Sequence, residues 1–360
     1  MSYFNQLEPD ALIRHFLAYP PQDFDVWVGA GGMPLFAADF DLLTTLDPSI
    51  RSRVMRLPGY SYWRKYLQPK TCFAGTTVSE YALLPDDRPA EELADQLLRE
   101  AGSQYPLLIV KDVPLQSPLL DARCNAFSQA FLQALKARDF FLVDGQALAW
   151  VPVDYADSDD YLKRLSSGRR KDLRRKLKTR SSLDIQVCSC GDSRFDDPAF
   201  VDLFYRLYLN VFRQSEIHFD LLTREFFHAL LRDGNSQGVV FLYYHDGRLI
   251  GYNICFVVGD ALIDKYVGFE YPAARECNLY HVSWFYNLEY AATHHLKYYI
   301  AGWTDPEIKA YLGARFSLTQ HAVFVRNPLL RFILRRLSPL FESDKNWADG
   351  YKKDETSANS

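Results

Sequence analysis

Three sets of side chains in this sequence have types and spacings that can do chemistry. Lys309 and Tyr311 lie two residues apart in 306–313, a segment that opens on Pro306 and closes on Gly313 and so predicts one short helix. An ammonium fixed there can stabilise an oxyanion, and the phenol can protonate a leaving thiolate or ribose oxygen. Lys265 and Tyr266 interrupt an apolar run, 261–267, where alternation along a strand sends them to opposite faces. A lysine in so apolar a setting is unusual. Arg275, Asn278, Tyr280 and His281 gather where a long helix should begin, so a phosphate or carboxylate there would meet both the helix dipole and these side chains. Asn278 is placed to cap that helix.

A fourth set is a charge run. Ten Lys/Arg and one acid, Asp172, fall between 163 and 180, giving this stretch +9 in a chain of net charge −4. Arg169, Arg170, Arg174 and Arg175 suit contact with polyphosphate or RNA, although most such runs are solvated faces bridged to acidic neighbours. Six cysteines are scattered, with one CxC at Cys188 and Cys190 and no His/Cys pair nearby, so no metal site is expected. No Ser/Cys–His spacing calls for a covalent intermediate. Residues 1–13 carry acids without a signal-type apolar core, and no window holds 18 uninterrupted apolar residues; a cytoplasmic protein without a membrane span is expected.

The elements that must position these residues form a strand (261–267), a connector (268–276), a long helix (277–295) and a second strand (297–300). Parallel neighbours need a connection of that length, so the unit predicts a parallel βαβ whose helix opens beside the carboxyl ends of its strands, where open α/β sheets bind ligands. Ahead of it come a strand (183–188), helices (198–212 and 222–232) and two strands (238–245 and 249–258) joined at Asp246-Gly247, a hairpin signal. The basic run reads as one or two helices with acids first and bases last, and a thin stripe of Leu162, Leu165, Leu173 and Leu177. The N-terminal half predicts a helix (9–18), strands (24–28, 35–40 and 77–84), a helix (89–101), then strand 107–113, helix 120–138 and strand 140–143. Those last three repeat the order of 261–300 about 155 residues earlier, which implies two similar α/β domains in tandem. Tyr60, Tyr62, Trp63 and Tyr66 form an aromatic cluster expected in a core or domain interface.

Three stretches resemble the GNAT superfamily of N-acetyltransferases, and more closely its FemAB-like, two-domain branch. They are YLKRLSSGRRKDLRRKLK from Tyr161, similar to the basic helix before the second domain; HDGRLIGYNICFVVGDALIDKYVGF from His245, similar to two meander strands and a splayed central strand; and YYIAGWTDPEIKAYLGARF from Tyr298, similar to a terminal motif with a lysine in a short helix. The resemblance implies an α/β fold with a mixed sheet: two tandem GNAT-like acyl-CoA N-acyltransferase domains, the N-terminal one (1–156) degenerate, a basic connector (157–182) and a catalytic domain (183–341); the tail 342–360, polar and terminal, is expected to be disordered. The resemblance also implies acyl transfer to an amine of a small molecule or peptide by direct attack in a ternary complex. Lys309, Tyr311 and Lys265 would be catalytic. Arg275, Asn278, Tyr280, His281, Arg169, Arg170 and Arg174 would hold the donor. That donor would be acyl-CoA, or alternatively an aminoacyl-tRNA as in FemAB-like ligases, with no cofactor bound permanently. A third reading is a scaffold that keeps the fold without chemistry. One departure bears on the donor: coenzyme A is usually held by an R/Q-x-x-G-x-G/A loop, and 269–280 contains no glycine.

Overall fold

Tight turns at Asp246-Gly247 and Gly259-Asp260 fold the chain into three antiparallel strands, Gly238–His245, Arg248–Val258 and Ala261–Phe269. Asp246 and Gly247 both have positive φ (49° and 73°), the backbone a two-residue hairpin needs. The computed structural model describes residues 3–43, 48–215 and 219–337, so the tail 342–360 lies outside the described residues.

Two compact units are present, each built from separate segments. Unit 1 comprises Met1–Leu7, Asp23–Ala147 and Ser317–Ser360; unit 2 comprises Glu8–Gln22 and Leu148–Phe316. The sequence reading drew consecutive segments instead, because exchange of a first helix and a last strand leaves no local trace in the pattern.

In unit 2 the strand order is Asp184–Ser189, Gly238–His245, Arg248–Val258, Ala261–Phe269, Tyr298–Gly302 and then residues 148–152. The Ala261–Phe269 and Tyr298–Gly302 strands are parallel, joined through the helices Ala273–Glu276 and Leu279–Thr293, as the crossover length requires. Strand alternation sends Tyr252 towards helix Pro198–Phe212, where its ring stacks on Phe204 at 4.1 Å. Phe241 meets Tyr286 and Tyr290 of Leu279–Thr293. The basic run forms two helices, Ser158–Lys163 and Ser167–Leu177; Leu162 and Leu173 are buried in this unit's core and Leu165 and Leu177 pack on it.

In unit 1 the order is Asp25–Val28, Pro34–Asp39, Lys70–Ala74, Leu107–Pro114, residues 317–325 and residues 141–147. Its parallel pair is Lys70–Ala74 with Leu107–Pro114, crossed by helix Ala90–Ala101. Of the expected strand at 77–84 only Leu84 is extended, in the two-residue strand Leu84–Pro85 that pairs with Tyr3–Phe4; the strand of the main sheet lies earlier, at Lys70–Ala74. The repeat is therefore real but in another register: Lys70–Pro114, and not 107–143, corresponds to 261–300. Leu107–Pro114 and 141–147 are not neighbours, since the last strand lies between them. Gross element order could not distinguish these pairings. Both units thus carry the meander and parallel crossover of an acetyltransferase-type sheet, in a mixed α/β architecture. In unit 1 the parallel pairing ends at Ala74 and Val110, and beyond it the Lys111 ammonium donates to the Thr76 carbonyl at 2.9 Å, tying the parted ends together. Among the described residues no helix is long and apolar enough to cross a membrane.

Candidate active site

The parallel strands of unit 2 pair at three positions, Ala261 with Tyr298, Leu262 with Tyr299 and Ile263 with Ile300, and then part. Both strands slip at that point. Asp264 opposes Cys255 and Tyr266 opposes Ile254, which leaves Lys265 as the extra residue of a bulge. The other strand slips against 148–152 between Ile300 and Gly302, where Gly302 has φ 77°. The parting opens a cavity of about 90 Å³. One water needs roughly 10–15 Å³, so a small polar headgroup fits. A larger hollow over helix Arg224–Arg232 is lined by Tyr19, Arg224 and Arg232, but its arginines already pair with Asp202 and Asp196.

Asp264 is the polar centre of the cavity. Its carboxylate accepts from Asn253 Nδ2 (3.1 and 3.0 Å), Asn287 Nδ2 (2.9 Å) and the Tyr299 hydroxyl (3.0 Å). Desolvation nevertheless pushes this carboxyl above the usual carboxylate range, opposed by those hydrogen bonds and by the positive charge of Lys309. The amide oxygens of Asn253 and Asn287 have no hydrogen-bond partner, because both amides turn their NH2 groups to the acid. Trp284 also lines the cavity, 3% exposed, and its Nε1–H has no partner. A buried polar group without a partner costs about 1–3 kcal/mol, so this wall is suited to a ligand that accepts a hydrogen bond.

Lys309 reaches the same cavity from helix Pro306–Leu312. It is buried, and its ammonium donates to the Ala301 carbonyl at 2.6 Å. The helix ends at Gly313, φ 99°, where an added Cβ would stand 2.6 Å from the Tyr161 hydroxyl oxygen. That hydroxyl donates to the Leu312 carbonyl, so the basic segment fixes the end of the lysine's helix.

Of the residues singled out in the sequence, Lys309, Lys265 and Tyr280 line the cavity. Lys265 is also paired with Glu8 at 3.6 Å, both side chains being buried. Tyr311 does not line it: its hydroxyl donates to Asp172 at 2.8 Å and Arg169 lies over its ring. His281 contacts the Lys176 ammonium at 3.1 Å, and burial together with that charge lowers its pKa to about 4. Asn278 occupies the N-cap position with φ 50°, but its side chain makes no capping bond; the expected cap is supplied only by its backbone carbonyl. Arg275 donates to Gln214 and lies over Tyr271. Arg174 pairs with Asp159, while Arg169 and Arg170 sit on the same helix, Ser167–Leu177. Glu289, in the middle of Leu279–Thr293, is tied to Arg180 and Ser158.

Five backbone amides of the connector are taken up within it. Those of Ala274, Arg275, Glu276, Cys277 and Asn278 all donate to carbonyls of the connector itself, in the helix Ala273–Glu276 and its ends. An amide cradle for a pyrophosphate needs them free.

Sequence reasoning missed Asp264, Asn253, Asn287 and Tyr299. The available signal was a lone acid beside the flagged lysine, and single asparagines inside the apolar runs GYNICF and WFYNLEY.

A family model described as peptidoglycan biosynthesis/recognition, FemAB-like, matches residues 101–336. Among solved structures, the C-terminal domain of a putative lysylphosphatidylglycerol synthetase from Agrobacterium fabrum aligns with a TM-score of 0.55 at 11% identity, over 90% of this chain and 89% of that one. L-PGS from Bacillus licheniformis aligns with a TM-score of 0.54 at 9% identity, over 92% and 98%. A FemX structure gives 0.49 at 12% identity, over 89% and 97%. At these identities the first two likenesses establish a shared fold and nothing further. No curated protein matches the sequence.

Proposed function

The chain belongs to the FemAB-like family, and from that premise we propose that it is an acyl- or aminoacyltransferase working in the cavity where the unit 2 strands part. The observation that carries this reading is the convergence of a carboxyl of raised pKa, Asp264, and a buried cation, Lys309, on one small cavity at the parted strand ends. An amine of the acceptor attacks the donor's carbonyl carbon; the C–N bond forms and the ester C–O bond breaks. The amine's proton passes to the Asp264 carboxylate, which returns it to the departing ribose oxygen. Lys309 faces the oxyanion, a fixed charge worth about 3 kcal/mol in such sites. Positioning supplies the rest, with no covalent enzyme intermediate.

The donor we favour is an aminoacyl-tRNA and the acceptor a peptide amine. The internally bonded connector amides weigh against a coenzyme A pyrophosphate, and the cationic helix Ser167–Leu177 suits an RNA backbone. Acyl-CoA is the second reading.

The test is discharge of a mixed pool of charged tRNAs by small peptide amines. The purified protein is expected to retain tRNA in a ribonuclease-sensitive form and to accelerate discharge, while millimolar acetyl-CoA leaves its melting temperature unchanged. A melting temperature raised by acetyl-CoA, without discharge of tRNA, overturns the choice of donor. Inertness towards both overturns the transferase.

A further inference from the structure

The helix Pro328–Leu337 in unit 1 is amphipathic with its faces inverted. At 100° per residue Leu329, Leu330, Phe332 and Ile333 share one side, and all four are exposed, Leu329 by 69% and Phe332 by 59%. The other side is cationic and faces the protein: Arg331 pairs with Asp139 and donates to the Val325 carbonyl. An apolar face turned outward marks a surface that something covers.

A second segment of unit 1 shows the same composition. Between Asp47 and Glu80 there are six Lys/Arg and no acid. Arg51, Arg53, Arg56, Arg64 and Lys65 are exposed, interleaved with Met55, Leu57, Tyr62 and Tyr66. Tyr62 and Tyr66, expected in a core or interface, are 83% and 74% exposed. The strand register brings the two segments to one end of the sheet. Val325, which precedes the helix, pairs with Leu107, and Leu107 pairs with Thr71, at the start of the strand that follows the second segment. Neighbouring strands are about 4.8 Å apart, so the two segments leave the sheet roughly 10 Å from each other.

We propose that this end of unit 1 docks on an anionic lipid surface, with the apolar face of Pro328–Leu337 set into the headgroup boundary and the arginines of 51–65 on the phosphates. Interfacial helices combine exposed Leu/Phe with flanking Arg, and exposed tyrosines favour the same depth. Arg336, stacked over Phe332, can snorkel to the headgroups. The five exposed aliphatic residues Met55, Leu57, Leu329, Leu330 and Ile333 distinguish this surface from a nucleic-acid site, which stacks bases on aromatic rings and contacts phosphates with cations. The inference rests on unit 1 alone and stands apart from the transfer reaction.

The experiment is co-sedimentation of the full chain with phosphatidylcholine vesicles, with and without roughly one third phosphatidylglycerol. Wild type is expected to pellet with the anionic vesicles and to be released by high salt. Each of Arg53→Gln and Arg56→Gln should weaken partitioning about fivefold, and Phe332→Ser with Ile333→Ser at least tenfold, with melting temperatures unchanged because all four side chains are exposed. Three results overturn the proposal: no sedimentation with either vesicle; sedimentation indifferent to these variants; or a concentration-dependent dimer that the Phe332→Ser, Ile333→Ser variant dissolves, which would make this face a contact between copies.

Discussion

Replacing Lys309 by Met separates the two things this lysine does. Methionine keeps the buried stem and removes the ammonium. The lost bond to the Ala301 carbonyl, at 2.6 Å, is a charged hydrogen bond of the kind worth about 1.5–3 kcal/mol. Relief from burying the ammonium offsets part of that. The net loss of stability should be about 1–2 kcal/mol, or roughly 1–3 °C for a chain of this size. The rate effect should be larger: loss of a preorganised charge at a developing oxyanion costs about 10²–10³ in kcat. The two are resolved by single-turnover discharge of radiolabelled aminoacyl-tRNA well below the variant's melting temperature, with Lys309→Arg alongside. The pH profile adds an independent readout. Lys309 lowers the raised pKa of Asp264, so without it the carboxyl rises further and the acidic limb of the rate profile should move to higher pH. An acid whose folded pKa is raised contributes stability below its unfolded pKa and loses it as pH rises through the folded value, so the variant's stability deficit should grow in that direction. A folded Lys309→Met enzyme with a rate within about threefold of wild type and an unmoved profile would refute the assignment.

Other consequences are measurable by denaturation without knowing the substrate. Glu8→Gln breaks the buried pair with Lys265 and should cost roughly 3–5 kcal/mol; a loss below about 1 kcal/mol would mean the pair is not held in solution. Gly268→Ala puts a Cβ 2.3 Å from Tyr252 Cε1 and 2.9 Å from Leu207 Cβ. Overpacking of this kind costs about 1–3 kcal/mol, and a neutral substitution would show that the helix–sheet contact yields easily. His281 is held neutral, its pKa lowered by burial from the usual 6.5 to about 4. A depressed histidine gives stability above its unfolded pKa that is lost as pH falls through the folded one, so unfolding free energy should drop by up to about 3 kcal/mol between pH 6.5 and 4, and His281→Gln should flatten that slope.

Local pattern was enough to find the elements of the site. The hairpin dipeptides, the Pro306 and Gly313 bracket and the length of the 268–296 crossover identified the meander, the lysine helix and the parallel strand pair, because each depends on backbone preferences a few residues long. Lys309, Lys265 and Tyr280 were among the residues the sequence singled out, and all three line the cavity. Asp264 and its ring of donors did not stand out. Their role comes from four separate positions, 253, 264, 287 and 299, meeting through a bulge whose register only the paired strands set. Tyr311 and Arg275 were singled out along with Lys309, and tertiary packing turned them to Asp172 and Gln214 instead. The exchange of terminal segments between the units and the register of the repeat were likewise invisible in the chain, because strand pairing between residues more than a hundred positions apart leaves no periodicity to read. Sequence determined which elements form; which of their side chains share a cavity was decided by how the sheet pairs and where its two parallel strands stop pairing.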